Sequence, residues 1–197
     1  MKKILLSLIT LACLVSCTAK EEQKVDIVQA PAKEAVVMEN ILSRRSVRSY
    51  KPEQVEKSKI DTIMQCAINA PSANNKQPWE VRVIQNADML AKIKELGGQF
   101  YGSPTLIVVA KDKTNSFGDF DCGLLTQNIL LSAQALDLGT CSLGSVARLL
   151  MDPKAKDVFA SLNLPKDYEV VLAISLGYPN ESPDAKPRET AKVKFID

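Results

Sequence analysis

Residues 70–79 read Ala-Pro-Ser-Ala-Asn-Asn-Lys-Gln-Pro-Trp and combine two prolines, two asparagines, a glutamine and the only tryptophan of the chain. Because proline fixes its backbone angle and lacks an N–H group, this stretch is predicted to have a set shape. The amide side chains of Asn75 and Gln77 donate and accept hydrogen bonds, which suits the edge of a heteroaromatic ring better than a simple anion. Proline, serine and asparagine are also common in ordinary helix-to-strand turns, so that interpretation stays open.

A basic cluster near residue 45 is the second candidate site. Its members are Arg44, Arg45, Ser46, Arg48 and Ser49. Guanidinium groups present fixed pairs of N–H donors, and together with hydroxyl groups they suit a phosphate. Lys186 and Arg188 form a second, weaker basic pair around a proline. Either cluster could also be solvated surface, and the first follows a predicted helix whose negative dipole end it would complement.

Several kinds of catalytic site are excluded by residues that the sequence lacks. The chain has no histidine, which rules out Ser-His-Asp and Cys-His catalysis and zinc bound by histidine. It has no GxGxxG or GxxxxGK[S/T] loop, so arginine side chains rather than a glycine loop would hold a phosphate. Outside the leader and Cys17, three cysteines stay in the domain, an odd number that predicts no disulfide framework. Of these, Cys66 and Cys122 are predicted to be buried packing residues, and the third is Cys141.

The size and charge of the chain set the class of protein. Its 197 residues suffice for one domain with a real core, and 46% hydrophobic and 24% charged residues are a globular composition. The net charge is +2, and without Lys2 and Lys3 of the expected leader 23 basic residues face 23 acidic ones. A neutral mature chain argues against a nucleic acid partner.

The first residues predict export and attachment to a membrane. Lys2 and Lys3 precede an apolar stretch from Ile4 to Val15, which is too short for a permanent membrane span. Residues 14–17, Leu-Val-Ser-Cys, resemble a bacterial lipobox, which implies cleavage after residue 16 and lipidation of Cys17; a plain secretory signal is the alternative. We therefore expect a signal peptide over 1–16, a lipidated cysteine and polar tether over 17–35, and a domain over 36–197. The expected location is the cell envelope, lipid-anchored on its periplasmic or surface face.

The candidate sites lie between predicted helices and strands. Apolar spacing predicts helices over 34–42 and 60–68, and the second helix has Ile60, Ile63, Met64, Ala67 and Ile68 on one face. Further helices are predicted over 88–96 and 121–138, with short helical pieces over 146–162. Strands are predicted over 80–85, 105–110 and 168–176, the second buried on both faces, and the tail from 177 onward is predicted to be irregular. Interleaved helices and strands indicate an α/β or α+β protein.

Four motifs occur in the order and rough spacing of a known family. They are Arg44-Arg45-Ser46-Val47-Arg48-Ser49-Tyr50, Ala70-Pro71-Ser72-x-x-Asn75-x-Gln77-Pro78-Trp79, Gly139-Thr140-Cys141-Ser142-Leu143-Gly144-Ser145 and Lys186-x-Arg188. They closely resemble those of the nitroreductase family of FMN flavoproteins, over residues 36–190. The resemblance implies an α+β fold with three α-β-α layers: a central, mainly antiparallel sheet flanked by helices, with a long central dimerisation helix. It also implies an obligate homodimer with two FMN sites at the subunit interface.

The resemblance assigns roles residue by residue. It implies that Arg44, Lys186 and Arg188 bind the FMN phosphate, that Arg45 and Ser46 contact the phosphate or ribityl chain, and that Arg48 lies near the N1 and C2 carbonyl side of the ring. It also implies that Pro71, Ser72 and Asn75 line the ring with Gln77 nearby, and that the backbone of Leu143 and Gly144 meets the other ring edge. Gln99 aligns loosely with a family amide. Ser142 and Gly144 depart from the proline and glutamate of other members, and the segment 98–105 is short, which affects the expected substrate.

The implied function is FMN-dependent oxidoreduction. A hydride would pass from a reduced donor, NAD(P)H or another, through flavin to a nitro, quinone or similar small-molecule acceptor. No protein side chain is needed as an acid or base, which fits a chain without histidine. Because NAD(P)H is not expected outside the cytoplasm, the envelope location calls for a different donor or role. The alternatives are a reductive dehalogenase-like branch of the same fold, a non-catalytic flavin-binding or scavenging lipoprotein, and a structural envelope lipoprotein without ligand.

Overall fold

The structure is a computed structural model that describes residues 32–196. The expected signal peptide, Cys17 and the tether up to residue 31 lie outside the described residues. The first helix begins at Lys33, so its first residues fall within the stretch 17–35 that the sequence predicted as tether. No helix within 32–196 has both the length and the apolar character that crossing a bilayer requires.

Six α-helices and four strands are interleaved along the described chain; the interleaving was predicted, but with three strands. The helices are α1 Lys33–Ser43, α2 Lys57–Ile68, α3 Ala87–Glu95, α4 Gly118–Ala135, α5 Gly144–Leu150 and α6 Lys156–Ser161. The strands are β1 Trp79–Ile84, β2 Thr105–Asp112, β3 Gly139–Ser142 and β4 Tyr168–Gly177. Short 3-10 turns occur at Ala73–Asn75, Pro153–Ala155 and Thr190–Lys192. Strand β3 is not among the predicted strands, and α4 begins three residues before the predicted start.

The four strands form one antiparallel sheet in the order β1-β2-β4-β3. Strand β2 lies inside it, and its residues from Thr105 to Ala110 are all buried. Because successive side chains point to opposite faces, Ile107 and Val109 join a core with α2 and α4, while Leu106 and Val108 join a second core with α3, α5 and α6. Helices therefore cover both faces of the sheet, and the three-layer α+β prediction is confirmed.

Two predictions about helix α2 are wrong. Ile60, Ile63 and Ala67 are buried against the core as expected, but Ile68 at the last turn keeps 49% of its surface exposed. Cys66 is exposed, because it lies on the flank of α2 in an open groove that residues of α1, α2 and α4 line. Cys122 is buried as predicted, with its sulfur 3.8 Å from the carbonyl oxygen of Ala110, and burial raises the pKa of its thiol to about 12.

The segment after α1 reaches the free edge of β3 through a contact that needs a glycine. The N–H of Val47 donates to the carbonyl oxygen of Thr140 at 2.9 Å, and Ser46 forms a parallel bridge with the same residue. A Cβ atom on Gly139 would lie 2.8 to 3.0 Å from three side-chain carbons of Val47, which is 6% exposed. The close approach of Val47 therefore requires glycine at 139.

We predict opposite effects for alanine at two glycines. Gly139→Ala should lower the free energy of unfolding by about 1–3 kcal/mol, because the added methyl group overpacks against Val47. Gly123→Ala is the matched control: it lies inside α4, a Cβ there meets nothing within 4 Å, and alanine should stabilise the helix by about 0.5–1 kcal/mol. Urea unfolding of both variants measures the difference. Equal stabilities would contradict the packing argument.

Candidate functional site

The arginine-rich segment presents three of the predicted site residues on one patch. Residues 44–48 run alongside β3, and alternate residues of an extended chain share a face, which places Arg44, Ser46 and Arg48 together. All three influence the pKa of the thiol of Cys141, a buried residue of β3. Burial raises the pKa of that thiol, while Arg48, a hydrogen bond from Ser46 and then Arg44 lower it. Three side chains predicted to contact FMN are therefore neighbours.

Arg45 lies apart from this row. Its guanidinium donates to the carbonyl oxygens of Leu42 at 2.6 Å and Arg44 at 2.9 Å, near the carboxyl end of α1. Those contacts occupy the negative end of the helix, which a cation stabilises. A role for Arg45 in phosphate or ribityl binding stays a prediction.

Arg48 is held by two residues that the sequence analysis did not single out. The guanidinium carbon lies 6.0 Å from the centre of the Tyr101 ring, and the carboxylate of Glu181 accepts from the backbone N–H of Arg48. The Cys141 sulfur first, and then a hydrogen bond with Tyr101, raise the pKa of Arg48. Tyr101 has a φ of 60°, a backbone angle that residues other than glycine rarely adopt. The Tyr-Gly pair at 101–102 was a signal for a turn, but nothing near Glu181 indicated its contact.

The end of β3 completes this corner of the fold. Leu143 is buried, and its N–H already donates to the carbonyl oxygen of Ala173 at 2.7 Å. Gly144 is exposed at the start of α5, and a Cβ atom there would meet nothing within 4 Å. A bound group can therefore approach the backbone of Gly144 closely, while the N–H of Leu143 is already engaged.

The basic pair in the tail is fully accessible. Lys186 and Arg188 are both exposed in the segment that follows β4. The guanidinium of Arg188 donates to the carbonyl oxygens of Lys186 at 3.0 Å and of Pro187 at 3.2 Å. Its part in phosphate binding stays a prediction. Gln99 is exposed as well, two residues before Tyr101.

The loop from Pro71 to Pro78 has the set shape that its sequence predicted. Asn74, Asn75 and Gln77 have φ values of 53°, 55° and 47°, so three residues other than glycine are left-handed within four positions. The Ser72 hydroxyl accepts from the N–H of Gln77 at 3.0 Å, and the Gln77 side chain donates to the Asn75 side-chain oxygen at 3.3 Å. The amide groups of Asn75 and Gln77 are exposed and held against each other.

A buried carboxylate of α4 is attached to this loop. Both oxygens of Asp121 lie 3.2 Å from the backbone nitrogen of Ala73, and Asp121 is 1% exposed. In the sequence, Asp121 marked only the predicted start of a helix. An acidic residue at the start of a long apolar helix was the available signal, but helix N-termini favour acidic residues in any case.

One copy of the chain does not bring the loop and the arginine row together. The loop leads into β1 at one edge of the sheet, whereas the arginine row lies beyond β3 at the other edge. Three strand spacings separate β1 from β3, about 14 Å, and the arginine row lies beyond β3. They also lie at opposite ends, because Trp79 of β1 pairs near the end of β2, and β3 pairs with the last residues of β4. Each half of the predicted site is therefore formed separately.

The sequence matches a known family. Residues 41–97 and 96–178 match the profile of the nitroreductase family. A relative from Archaeoglobus fulgidus, named as an NADH dehydrogenase/NAD(P)H nitroreductase, is 34% identical over 152 residues, which are 73% of this chain and 86% of the relative.

Two solved structures are similar in fold. A nitroreductase with bound FMN from Desulfitobacterium hafniense superposes with a TM-score of 0.73 at 26% identity and covers 82% of this chain and 98% of its own. A nitroreductase with bound FMN from Bacteroides fragilis has a TM-score of 0.75 at 22% identity, with the same coverage of 82% and 98%, which bears on the fold alone.

Proposed function

This chain belongs to the nitroreductase family, and we propose that it is an FMN-dependent oxidoreductase that uses a reduced donor to reduce a nitro, quinone or similar small acceptor. The observation that carries the proposal is the row of Arg44, Ser46 and Arg48 beside β3. A relative from Bacillus subtilis, named FMN reductase [NAD(P)H], and the FMN-bound solved structure from Desulfitobacterium hafniense support the cofactor.

The residues present fit FMN by charge and by space. The Arg44 guanidinium and the Ser46 hydroxyl suit a phosphate, and Arg48 beside them would supply a charge to the ring. The open backbone of Gly144 lets a planar group approach the same corner. Lys186 and Arg188 would add two accessible cations, and Arg45 a third. The exposed amides of Asn75 and Gln77, with Pro71 and Ser72, would line the ring.

The residues of the chain itself would bind FMN and place positive charge beside its ring. FMN supplies, when bound, a ring that takes up and releases a hydride. Arg48 would place a fixed positive charge at that ring, which favours its reduced, anionic form. Tyr101 and Glu181 hold Arg48 in place through the ring contact and the backbone hydrogen bond. No side chain has to transfer a proton, which suits a chain without histidine.

We further propose a homodimer in which each site takes its arginine row from one copy and its Pro71–Pro78 loop from the other. The separation of the two halves at opposite edges of the sheet supports it. Helix α1 supports it too, because none of its residues is buried. Its large apolar residues are exposed by 48% to 74%: Val36, Val37, Met38, Ile41 and Leu42. Several large apolar side chains left exposed on one helix are typical of a protein interface.

We also propose that the mature protein is anchored in the cell envelope through a lipid on Cys17. The support is the lipobox-like end of the leader, and the consequence is a donor other than cytoplasmic NAD(P)H. We expect Cys17→Ala to lose incorporation of a labelled fatty acid and to leave the membrane fraction, with the Cys66→Ala variant as the cysteine control. Fatty-acid labelling in the Cys17→Ala chain equal to that of the wild type would contradict the anchor.

The first experiment is the visible absorption spectrum of residues 18–197 after incubation with FMN and removal of the excess. We expect about one flavin per chain, bleached by a reductant and restored by a quinone. A colourless protein would contradict the proposal. A flavin that binds but is not reoxidised by any acceptor would indicate a carrier instead.

A further inference from the structure

The carboxylate of Asp121 is buried without a cation. It lies in the first turns of α4 and is 1% exposed, and the ion pairs found among residues 32–196 do not include it. A buried charge is costly unless hydrogen bonds compensate it. The N-terminal end of an 18-residue helix supplies part of that compensation, and the N–H of Ala73 supplies another part.

The Asp121 carboxylate accepts its hydrogen bond from the Pro71–Pro78 loop, in which Asn74, Asn75 and Gln77 have left-handed backbone angles. Such backbone conformations persist only where the surrounding structure fixes them. The loop's internal hydrogen bonds set its shape, but two contacts attach it to the rest of the domain: Ala73 to Asp121, and the Pro78 carbonyl oxygen to the N–H of Asp112 at 2.9 Å. Asp121 therefore fixes the first half of the loop relative to α4.

We propose that Asp121 is a positioning residue for flavin binding, which acts through Ala73 to hold the amide groups of Asn75 and Gln77 in place. This inference rests on the proposed function. A purely structural carboxylate would be replaceable by an apolar side chain of similar volume at little cost to the site. A positioning carboxylate, in contrast, cannot be removed without changing how the loop meets its ligand.

Three variants separate the hydrogen bond from the fold. Asp121→Ala removes both acceptor oxygens, and Asp121→Asn keeps one of them in a side chain of the same shape. Ala73→Pro removes the donor, and its ring carbon replaces the N–H hydrogen next to the Asp121 oxygens, which lie 3.2 Å from that nitrogen, so the carboxylate has to move away from the loop. Ser72, with φ −140° and ψ 153°, has a conformation that the residue before proline readily adopts. The matched control is Asp119→Asn, a carboxylate with 73% of its side chain exposed two residues earlier in α4.

The readouts are the Kd for FMN, the absorption spectrum of bound flavin and the thermal midpoint of the flavin-free protein. We expect Asp121→Ala and Ala73→Pro to raise the Kd about tenfold, equal to about 1.4 kcal/mol, and to shift the spectrum. Asp121→Asn should change the Kd by less than about threefold, since one acceptor remains for Ala73. Asp119→Asn alters an ion pair with Lys111 but no contact with the loop, so it should match the wild type in Kd and in spectrum.

The outcomes distinguish this inference from the function on which it rests. Wild-type protein that retains no FMN would overturn both. Wild-type protein that binds FMN, with Ala73→Pro and Asp121→Ala variants of equal Kd and spectrum, would overturn the inference alone. If Asp121→Ala does not fold, Ala73→Pro decides the question: an unchanged Kd counts against the inference, and a tenfold rise that Asp121→Asn does not share supports it.

Discussion

Arg44→Glu combined with Arg188→Glu is expected to abolish FMN retention while the protein stays folded. Arg44 is half-buried in the row beside β3, and Arg188 is exposed in the tail, so neither guanidinium is part of the core. A hydrogen bond to a charged group contributes about 1.5–3 kcal/mol. Losing two such contacts and gaining two negative charges near a phosphate should therefore raise the Kd by at least about 100-fold.

The control variant should change the net charge by the same amount as the Arg44→Glu, Arg188→Glu variant, but far from the arginine row. Lys92→Glu with Lys154→Glu does so, because both lysines line a cleft between α3 and the segment leading into α6. Flavin stoichiometry after gel filtration, with circular dichroism as the test of folding, measures both double variants. Normal flavin content in the Arg44→Glu, Arg188→Glu protein would refute the phosphate assignment. Loss of flavin in the lysine control would show that net charge, not contact, decides binding.

Much of the fold follows from short-range patterns in the sequence. The apolar run from Thr105 to Ala110 predicted a strand buried on both faces, and β2 is that strand. Spacing of apolar residues located α2 within three residues. The arginine row was also predictable as a unit, since Arg44, Ser46 and Arg48 alternate along an extended segment. In each case the information lies within a few neighbouring residues.

The parts that sequence patterns missed depend on contacts between distant residues. Asp121 forms a hydrogen bond with Ala73, which is 48 residues away in the sequence, and Glu181 forms one with Arg48, which is 133 residues away. Strand β3 has only four residues, too few for a periodic pattern, and is defined by its pairing with β4. The exposure of Cys66 depends on how α4 lies against α2. The spacing of apolar residues predicts which side of a helix is apolar. It does not predict whether another element covers the residues at the border of that side, such as Cys66.

The separation of the two half-sites leads to the second large expected effect, which is complementation between two inactive chains. Asn75→Asp with Gln77→Glu removes the hydrogen bond between these two side chains and sets two carboxylates side by side, while aspartate still tolerates the left-handed backbone at residue 75. Carboxylates cannot donate hydrogen bonds, so this chain should fail to retain FMN at concentrations that saturate the wild type. The Arg44→Glu, Arg188→Glu chain should fail for the reason given above.

Co-expression of these two chains with different tags, followed by purification through both tags, should yield mixed dimers that bind FMN. In a two-fold symmetric dimer one site would combine both intact halves and the other both altered halves, so we expect about one flavin per mixed dimer. Each chain purified alone should bind essentially none. If the mixed dimer is also colourless, both halves of a site belong to one chain, and the shared-site proposal is wrong. If no doubly tagged species forms, the homodimer itself is contradicted, because the exposed apolar residues of α1 would then not join two copies.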